Sequence, residues 1–332
     1  MMQRPLGKAG PSVSAIGLGC MGMSDVYGPA DRAESIATIH AAIDAGINLL
    51  DTGDFYASGA NELLIAEALK GGLREKVMIS VKFGGLRDPE GAFIGYDARP
   101  VAVKNFLAYT LRRLGVDHID IYRPSRLDPA VPIEETVGAI ADLVRAGYVR
   151  HIGLSEVGVE TIRRAVKVHP IVDLQTEYSL LARGIEAAIL PACRELGVGI
   201  TAYGVLTRGL LSGRWSRERA LATRDSRAHH PRFGGEHLPK NLALIEALKA
   251  AAEARRMSPA QAAIAWVVSR GEDIVPLIGS RTRAQFAEAL AALDFKLSTD
   301  DLARIEAAVP LGAASGDRYP ASVMATLDSE RP

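Results

Sequence analysis

The stretch Ile47-Asn48-Leu49-Leu50-Asp51-Thr52-Gly53-Asp54-Phe55-Tyr56 starts apolar and ends in ionisable side chains, and Val77-Met78-Ile79-Ser80-Val81-Lys82 repeats the pattern. Short apolar, β-branched runs of this kind are how buried parallel strands look in sequence, and their polar exits mark where strands emerge into a site. A carboxylate, a phenol and an ammonium converging there suit acid catalysis. A tyrosine with its ordinary pKa of about 10 is a poor proton donor, but a nearby cation favours the phenolate and draws that pKa toward neutrality. Lys82 is the candidate cation, with Asp51 holding it in place and charged. Taken singly, the three read as a turn carboxylate, a half-buried loop aromatic and a solvated strand end; together on consecutive strands they read as catalytic.

Outward from these strands, helix and strand patterns alternate. Strands are predicted near 16–19, 47–50, 77–82, 119–122, 151–154, 171–175, 198–203 and 274–278. Helices are predicted near 31–45, 60–70, 100–114, 134–146, 158–168, 185–196, 239–255, 259–270, 283–292 and 299–308. Eight strands separated by helices predict an α/β fold, a (β/α)8 TIM barrel with its catalytic groups at the C-terminal strand ends. Residues 3–16 read as a hairpin ahead of the repeat, turning at Gly7-Lys8-Ala9-Gly10-Pro11. Length alone suggests about two domains, yet such barrels run past about 250 residues as one unit, and 1–332 is read as a single domain. Two irregular stretches, about 213–239 and 311–332, are candidate loops over the barrel mouth, with surface disorder as the competing reading.

Gly17-Leu18-Gly19-Cys20-Met21-Gly22 is a formal match to the G-x-G-x-x-G dinucleotide pattern. That pattern needs a helix to open directly at the glycines, whereas Ser24 to Pro29 intervene before the helical pattern begins near Asp31. No Rossmann domain is predicted. The 332 residues are 48% hydrophobic and 23% charged, as in a soluble globular protein, and the formal net charge is zero. No global field would draw in nucleic acid or an anionic membrane, so the expected partner is a small molecule. Cys20 and Cys193 lack metal or redox spacing, and no window is apolar for a membrane span or signal; a cytoplasmic location is expected. His229 and His230 have no third ligand and read as a solvated pair rather than a metal site. His118 and His151 lie toward strand starts and read as structural.

Six separated motifs in order carry a resemblance: Gly17 to Met23, Leu50 to Tyr56, Leu114-Gly115-Val116-Asp117, Ile152 to Glu156, Gln175 to Leu180, and Ile278-Gly279-Ser280-Arg281. From Arg4 to about Leu293 the chain resembles the aldo-keto reductases, in particular the bacterial branch related to the potassium-channel β-subunits. The resemblance implies an NADPH-dependent reductase of aldehydes or ketones, with the hairpin closing the barrel bottom. It assigns Tyr56 as general acid, tuned by Asp51 and Lys82. It places Tyr203 against the nicotinamide, and Ser155 and Gln175 on its carboxamide. Gly204, Leu206, Arg208 and Leu211 would line the pyrophosphate, with Val205 also in the cofactor site, and Ser280 and Arg281 the adenosine 2′-phosphate. Gly19, Cys20, Met21 and Asp51 at strand exits, with Gly279, Gln285 and Glu288, complete the implied cofactor site.

Several positions depart from the family pattern. The catalytic tetrad is usually completed by histidine in a tyrosine-tyrosine-x-histidine-arginine run; here the run is Tyr122-Arg123-Pro124-Ser125-Arg126, and Ser125 takes the fourth catalytic place. Serine can hydrogen-bond a carbonyl, directly or through water, but cannot act as an imidazole. Gly204-Val205 replace a usual serine-proline, and Gln285 and Ala289 a basic residue and an asparagine. Arg123 and Arg126 read either as positive potential near the pocket or as a surface pair. Two other functions compete: a cofactor-binding regulatory or redox-sensor protein with vestigial chemistry, and an aldolase-like barrel using Lys82 as a Schiff base.

Overall fold

The computed structural model describes residues 1–222 and 225–331. A short antiparallel hairpin, β1 (Gln3–Pro5) and β2 (Ser12–Ser14), precedes the barrel. Then come β3 (Gly17–Gly19), α1 (Arg32–Asp44), β4 (Leu49–Gly53), α2 (Ala60–Ala68) and β5 (Met78–Phe83). A second hairpin, β6 (Gly85–Arg87) and β7 (Phe93–Tyr96), leads to α3 (Pro100–Leu114) and β8 (Ile119–Pro124). The rhythm resumes with α4 (Ile133–Arg145), β9 (Val149–Ser155), α5 (Val159–Val166), β10 (Ile171–Glu177), α6 (Ile189–Leu196) and β11 (Gly199–Tyr203). Helices α7 (His237–Glu253) and α8 (Pro259–Ser269) precede β12 (Ile274–Gly279), and α9 (Arg283–Leu290), α10 (Thr299–Ala308) and α11 (Ala321–Met324) follow it.

Eight parallel strands close into a barrel in the order β3, β4, β5, β8, β9, β10, β11, β12 and back to β3. The predicted (β/α)8 barrel is therefore the observed one, and each predicted strand falls on an observed one. The helix predicted from 185 begins at Ile189, because a 3-10 turn takes Gly184–Glu186. The glycine-rich stretch ends a strand and enters a 3-10 turn at Met21–Met23, well before α1 opens on its Asp31 cap. Capping boxes start α8 at Ser258 and α10 at Ser298, each satisfying otherwise orphaned backbone N–H groups.

The first hairpin closes the barrel bottom. Arg4 donates to the carbonyls of Val268, Gly271 and Ile274 at the start of β12. Gly7 and Gly199 pack so closely that a Cβ on Gly199 would lie 2.6 Å from the Gly7 nitrogen. Leu6 and Val13 join Leu49, Ile121, Val172, Val275 and Leu277 in a small apolar plug, while the larger core lies between strands and helices.

The two stretches expected to be irregular differ. Within 213–239 only 3-10 turns at Ser226–His229 and Pro231–Phe233 form before α7; residues 223 and 224 of that loop, and 332 of the tail, lie outside the described residues. The tail from 311 carries α11 and packs back across the barrel mouth. Among the described residues no helix is long and apolar enough to cross a membrane.

Candidate active site

Adjacent strands in register set the geometry. Asp51 on β4 pairs with Ser80 on β5, and Gly53 with Lys82, so side chains two apart, Ser80 and Lys82, share the lumen face with Asp51. The Lys82 ammonium donates to Asp51 Oδ1 at 2.5 Å. Ser80 Oγ and Gln175 Nε2 donate to the other Asp51 oxygen at 2.9 and 2.7 Å. The ammonium lies 5.2 Å from the centroid of the half-buried Tyr56 ring. Ala57 and Ser58, directly after it, hold φ values of 46° and 52°; for non-glycine residues this left-handed backbone costs energy and persists where the surroundings enforce it.

The Tyr56 phenol is pushed well above its ordinary value, first by burial and next by the Asp51 carboxylate, instead of being drawn toward neutrality. Lys82 is committed to Asp51 and faces the ring, and its own pKa is pushed down by burial against the pull of Asp51. Tyr56 is thereby a fully protonated phenol at neutral pH.

Beneath this group the lumen is polar. Arg123, expected near the pocket or on the surface, is fully buried and pairs with Asp173 at 3.0 Å, while its Nη2 donates to Ser80 Oγ at 3.0 Å. Thr201 also donates to Asp173. Gly153 makes the room: a Cβ there would meet Asp173 Oδ1 at 2.5 Å and Arg123 Nε at 2.9 Å.

Two buried hydroxyls at strand exits, Ser125 and Ser155, have no hydrogen-bond partner among the described residues. The Ser125 backbone N–H is fixed on the Phe83 carbonyl at 2.8 Å, leaving its side chain beside β5 and β8. The orphaned Ser155 hydroxyl lies on β9 in register with Gln175 on β10, and a hydroxyl beside a side-chain amide is a donor and acceptor set that fits a carboxamide. Cys20 is buried and its thiol pushed up to about 12 by burial, which leaves it inert. Gly19 and Gly279 face each other across β3 and β12, with Met21 at the next turn.

The loop after β11 places its predicted residues unevenly. Gly204 turns with φ 67°, and a Cβ there would press on the Glu177 side chain at 3.0 Å. Val205 and Leu211 bury their side chains in the core, so any contact with a cofactor there runs through backbone, while Leu206 is half-buried. Arg208 lies 3.6 Å from Glu177 and 4.5 Å from the Tyr319 ring. Ser280 is buried, and Arg281 donates through Nη1 to the carbonyls of Tyr27, Gly28 and Pro29. Gln285 accepts from the Arg281 N–H, and Glu288 is occupied by Arg214 at 2.7 Å.

Sequence reasoning missed the tail. Arg318 donates to Glu156 at 2.8 and 3.1 Å, to Glu177 at 3.2 Å and to Glu330 at 2.6 Å. The Tyr203 hydroxyl, expected to flank a nicotinamide, lies 2.7 Å from Glu156 and 2.8 Å from the Tyr319 hydroxyl. An arginine and a tyrosine in an aperiodic tail carry no sequence signal of such reach. Of the predicted solvated pair, His230 packs on Tyr319 and lies 3.2 Å from the Arg318 carbonyl, and burial pushes its pKa down to about 4. Among the described residues no cluster of His, Cys, Asp and Glu is arranged to hold a metal.

The sequence profile of the Aldo/keto reductase family matches residues 15–310. A relative named "Probable aldo-keto reductase 1", from Glycine max, is 43% identical over 319 residues, spanning 95% of this chain and 90% of its own. The structure of a glycerol dehydrogenase from Gluconobacter oxydans superposes with a TM-score of 0.84 at 26% identity, covering 95% of this chain and 97% of the other. An aldo-keto reductase from Bacillus halodurans gives 0.76 at 26% identity, covering 93% and 96%. With the barrel and the Asp51, Tyr56 and Lys82 group in place, the chain belongs to the aldo/keto reductase family, and so to the oxidoreductases that act on carbonyl compounds.

Proposed function

We propose that this protein is an NADPH-dependent carbonyl reductase that converts an aldehyde or ketone to its alcohol, with Tyr56 as the general acid. The observation that carries this reading is the buried Asp51–Lys82 pair set against the Tyr56 ring at the exits of adjacent strands. Ser155 and Gln175 would hold the cofactor's carboxamide, Tyr203 would flank its ring, and Gly204 to Arg208 would line its pyrophosphate. Gly279, Ser280 and Arg281 would take the adenosine end, with Gln285 steadying the Arg281 backbone. A guanidinium fork suits a phosphate better than a hydroxyl, which favours NADPH.

The bound cofactor supplies a hydride to the carbonyl carbon. Tyr56 O–H gives its proton to the carbonyl oxygen, completing the alcohol, and the phenolate left behind is reprotonated from solvent. The Lys82 ammonium offsets the charge that develops on Tyr56, and it is preorganised to do so by Asp51. Ser125 donates its unpaired hydroxyl hydrogen to the carbonyl oxygen, or to a water bridging to it, at the place where the family usually has histidine.

The test is NADPH binding by quenching of tryptophan fluorescence, followed by NADPH oxidation with a panel of aldehydes and ketones. Tyr56→Phe should bind NADPH as before and lose roughly 100- to 10,000-fold in turnover; full turnover by the variant would refute the assignment. A second reading, a cofactor-binding sensor with vestigial chemistry, draws on Ser125, which has no proton to exchange near neutral pH. Tight NADPH binding by the wild type without turnover on any carbonyl would favour it.

A further inference from the structure

Several buried and half-buried arginines around the barrel mouth are matched with carboxylates; Arg126, beside the proposed acid, is not. Arg123 pairs with Asp173, Arg208 with Glu177, and Arg318 with Glu156. Arg126, one residue beyond Ser125, has no carboxylate within ion-pair distance among the described residues. Its Nη1 donates to the Ser125 carbonyl at 2.6 Å, its Nη2 makes a long contact of 3.5 Å to the Tyr319 hydroxyl, and its Nε is buried without a partner.

Its surroundings are phenolic. The guanidinium lies 5.9 Å from the Tyr319 ring centroid, and its charge is felt at Tyr56, Tyr203 and Tyr96 and at the Lys82 ammonium. Glu156, the acid whose charge acts on Arg126, is already saturated, accepting from the Glu177 N–H, Tyr203, Arg318 and Ser329. Lys82 is held by Asp51, so Arg126 is the cation beside these phenols that carries no carboxylate on its donors. Burial opposes this charge, but Tyr203, Tyr319 and Glu156 more than offset it and keep the guanidinium ionised; with no carboxylate on its donors, it can offer them to an incoming anion.

We propose that Arg126 selects substrates, and that the carbonyl compound reduced here carries an anionic group, a carboxylate or a phosphate, which the Arg126 guanidinium binds while the carbonyl meets Tyr56. The fork geometry of arginine suits two parallel hydrogen bonds to either group. The assignment rests on the reductase reading above and names its substrate class.

Matched substrates test it. With NADPH, the wild type should reduce 4-formylbenzoate with a higher kcat/KM than methyl 4-formylbenzoate, and glyceraldehyde 3-phosphate with a higher kcat/KM than glyceraldehyde. Arg126→Met should lower the ratio within the preferred pair by roughly 10- to 100-fold, mainly through KM for the anionic member. Arg126→Lys should keep part of the ratio, because it keeps the charge and loses the fork. A merely structural role for Arg126 would lower both members of a pair together and leave the ratio unmoved. Preference confined to one pair assigns the anion as carboxylate or phosphate. Equal reduction of charged and neutral members, or a ratio unchanged in Arg126→Met, overturns the inference and leaves the reductase standing. Failure of all four compounds and of a wider carbonyl panel overturns both.

Discussion

Replacing Arg318 by alanine would strip two carboxylates buried at the barrel mouth of their main counter-ion. Glu156 and Glu177 have no exposed side-chain surface, and Arg318 bonds to both. Removing one partner of a buried ion pair costs roughly 3–5 kcal/mol, because the remaining charge stays desolvated. The tail cannot simply lift away to let water in. Asp328 accepts from the Gly158 N–H and Thr161, and Asn241 brackets Ser315, so it stays anchored on both sides of the gap. For 332 residues the entropy of unfolding is about 0.7 kcal/mol/K, so the expected loss in Tm is about 4–7 °C. The effect has a pH signature. Burial pushes Glu156 up, but Arg318 more than reverses this and holds it well below the ordinary carboxylate range. A depressed carboxyl contributes stability above its unfolded value of about 4.3, and that contribution is lost as pH falls through the lower folded value. Without Arg318, burial dominates and the same carboxyl opposes folding above about 4.3. The Tm gap between wild type and variant, followed by circular dichroism, should be widest near pH 7 and narrow toward pH 4. A shift under 1 °C at pH 7, or a gap independent of pH, would refute this account of the mouth.

Two further substitutions probe charges that the sequence places within strands or at their exits. Arg123→Met should lower the urea-unfolding free energy by roughly 3–5 kcal/mol by orphaning Asp173, and the double variant Arg123→Met/Asp173→Val should regain at least half; a double variant no better than the single one would show that Asp173 is not the liability. Asp54 has both carboxylate oxygens buried without hydrogen-bond partners, and burial, then Glu62, pushes it up to about 8. The folded state thus keeps a proton that the unfolded chain gives up near pH 3.9, and stability falls as pH rises from about 4 to 8. Asp54→Asn removes that penalty, so its stability relative to wild type should grow across the same window, and a constant difference would contradict the assignment.

What was legible in the sequence follows from where order originates. The barrel strands read clearly because each is an apolar run ending in chemistry: Lys82 is one residue from the end of β5 and Asp51 two from the end of β4. The hairpin of β6 and β7 was missed because it has no buried face to impose alternation; Phe93 and Ile94 are both exposed. The tail was unreadable for a different reason. It is ordered by single long side chains, and Arg318 reaches Glu156 across 162 positions, a distance at which periodicity says nothing.

Arg123 is the most instructive misreading. It sits two residues after Ile121 on β8, so the alternation of a strand sends both into the lumen, Ile121 into the apolar plug and Arg123 one layer above. Asp173 interrupts the apolar run Ile171-Val172-Asp173-Leu174 on β10, and Gly153 on β9 lies between them. Two opposite charges inside separate strand cores, with a glycine on the strand between, are a readable signal of a buried pair. Lumen layers of TIM barrels are ordinarily aliphatic, so a charged one asks for a reason. Here it continues upward: Arg123 donates to Ser80, and Ser80 to the Asp51 oxygen opposite the one that Lys82 holds. The carboxylate that positions Lys82 is itself fixed from below by a neutral hydroxyl backed by a buried guanidinium, which orients it without competing for its ammonium. The polar lumen thus works as the rigid support of the site rather than as part of its chemistry.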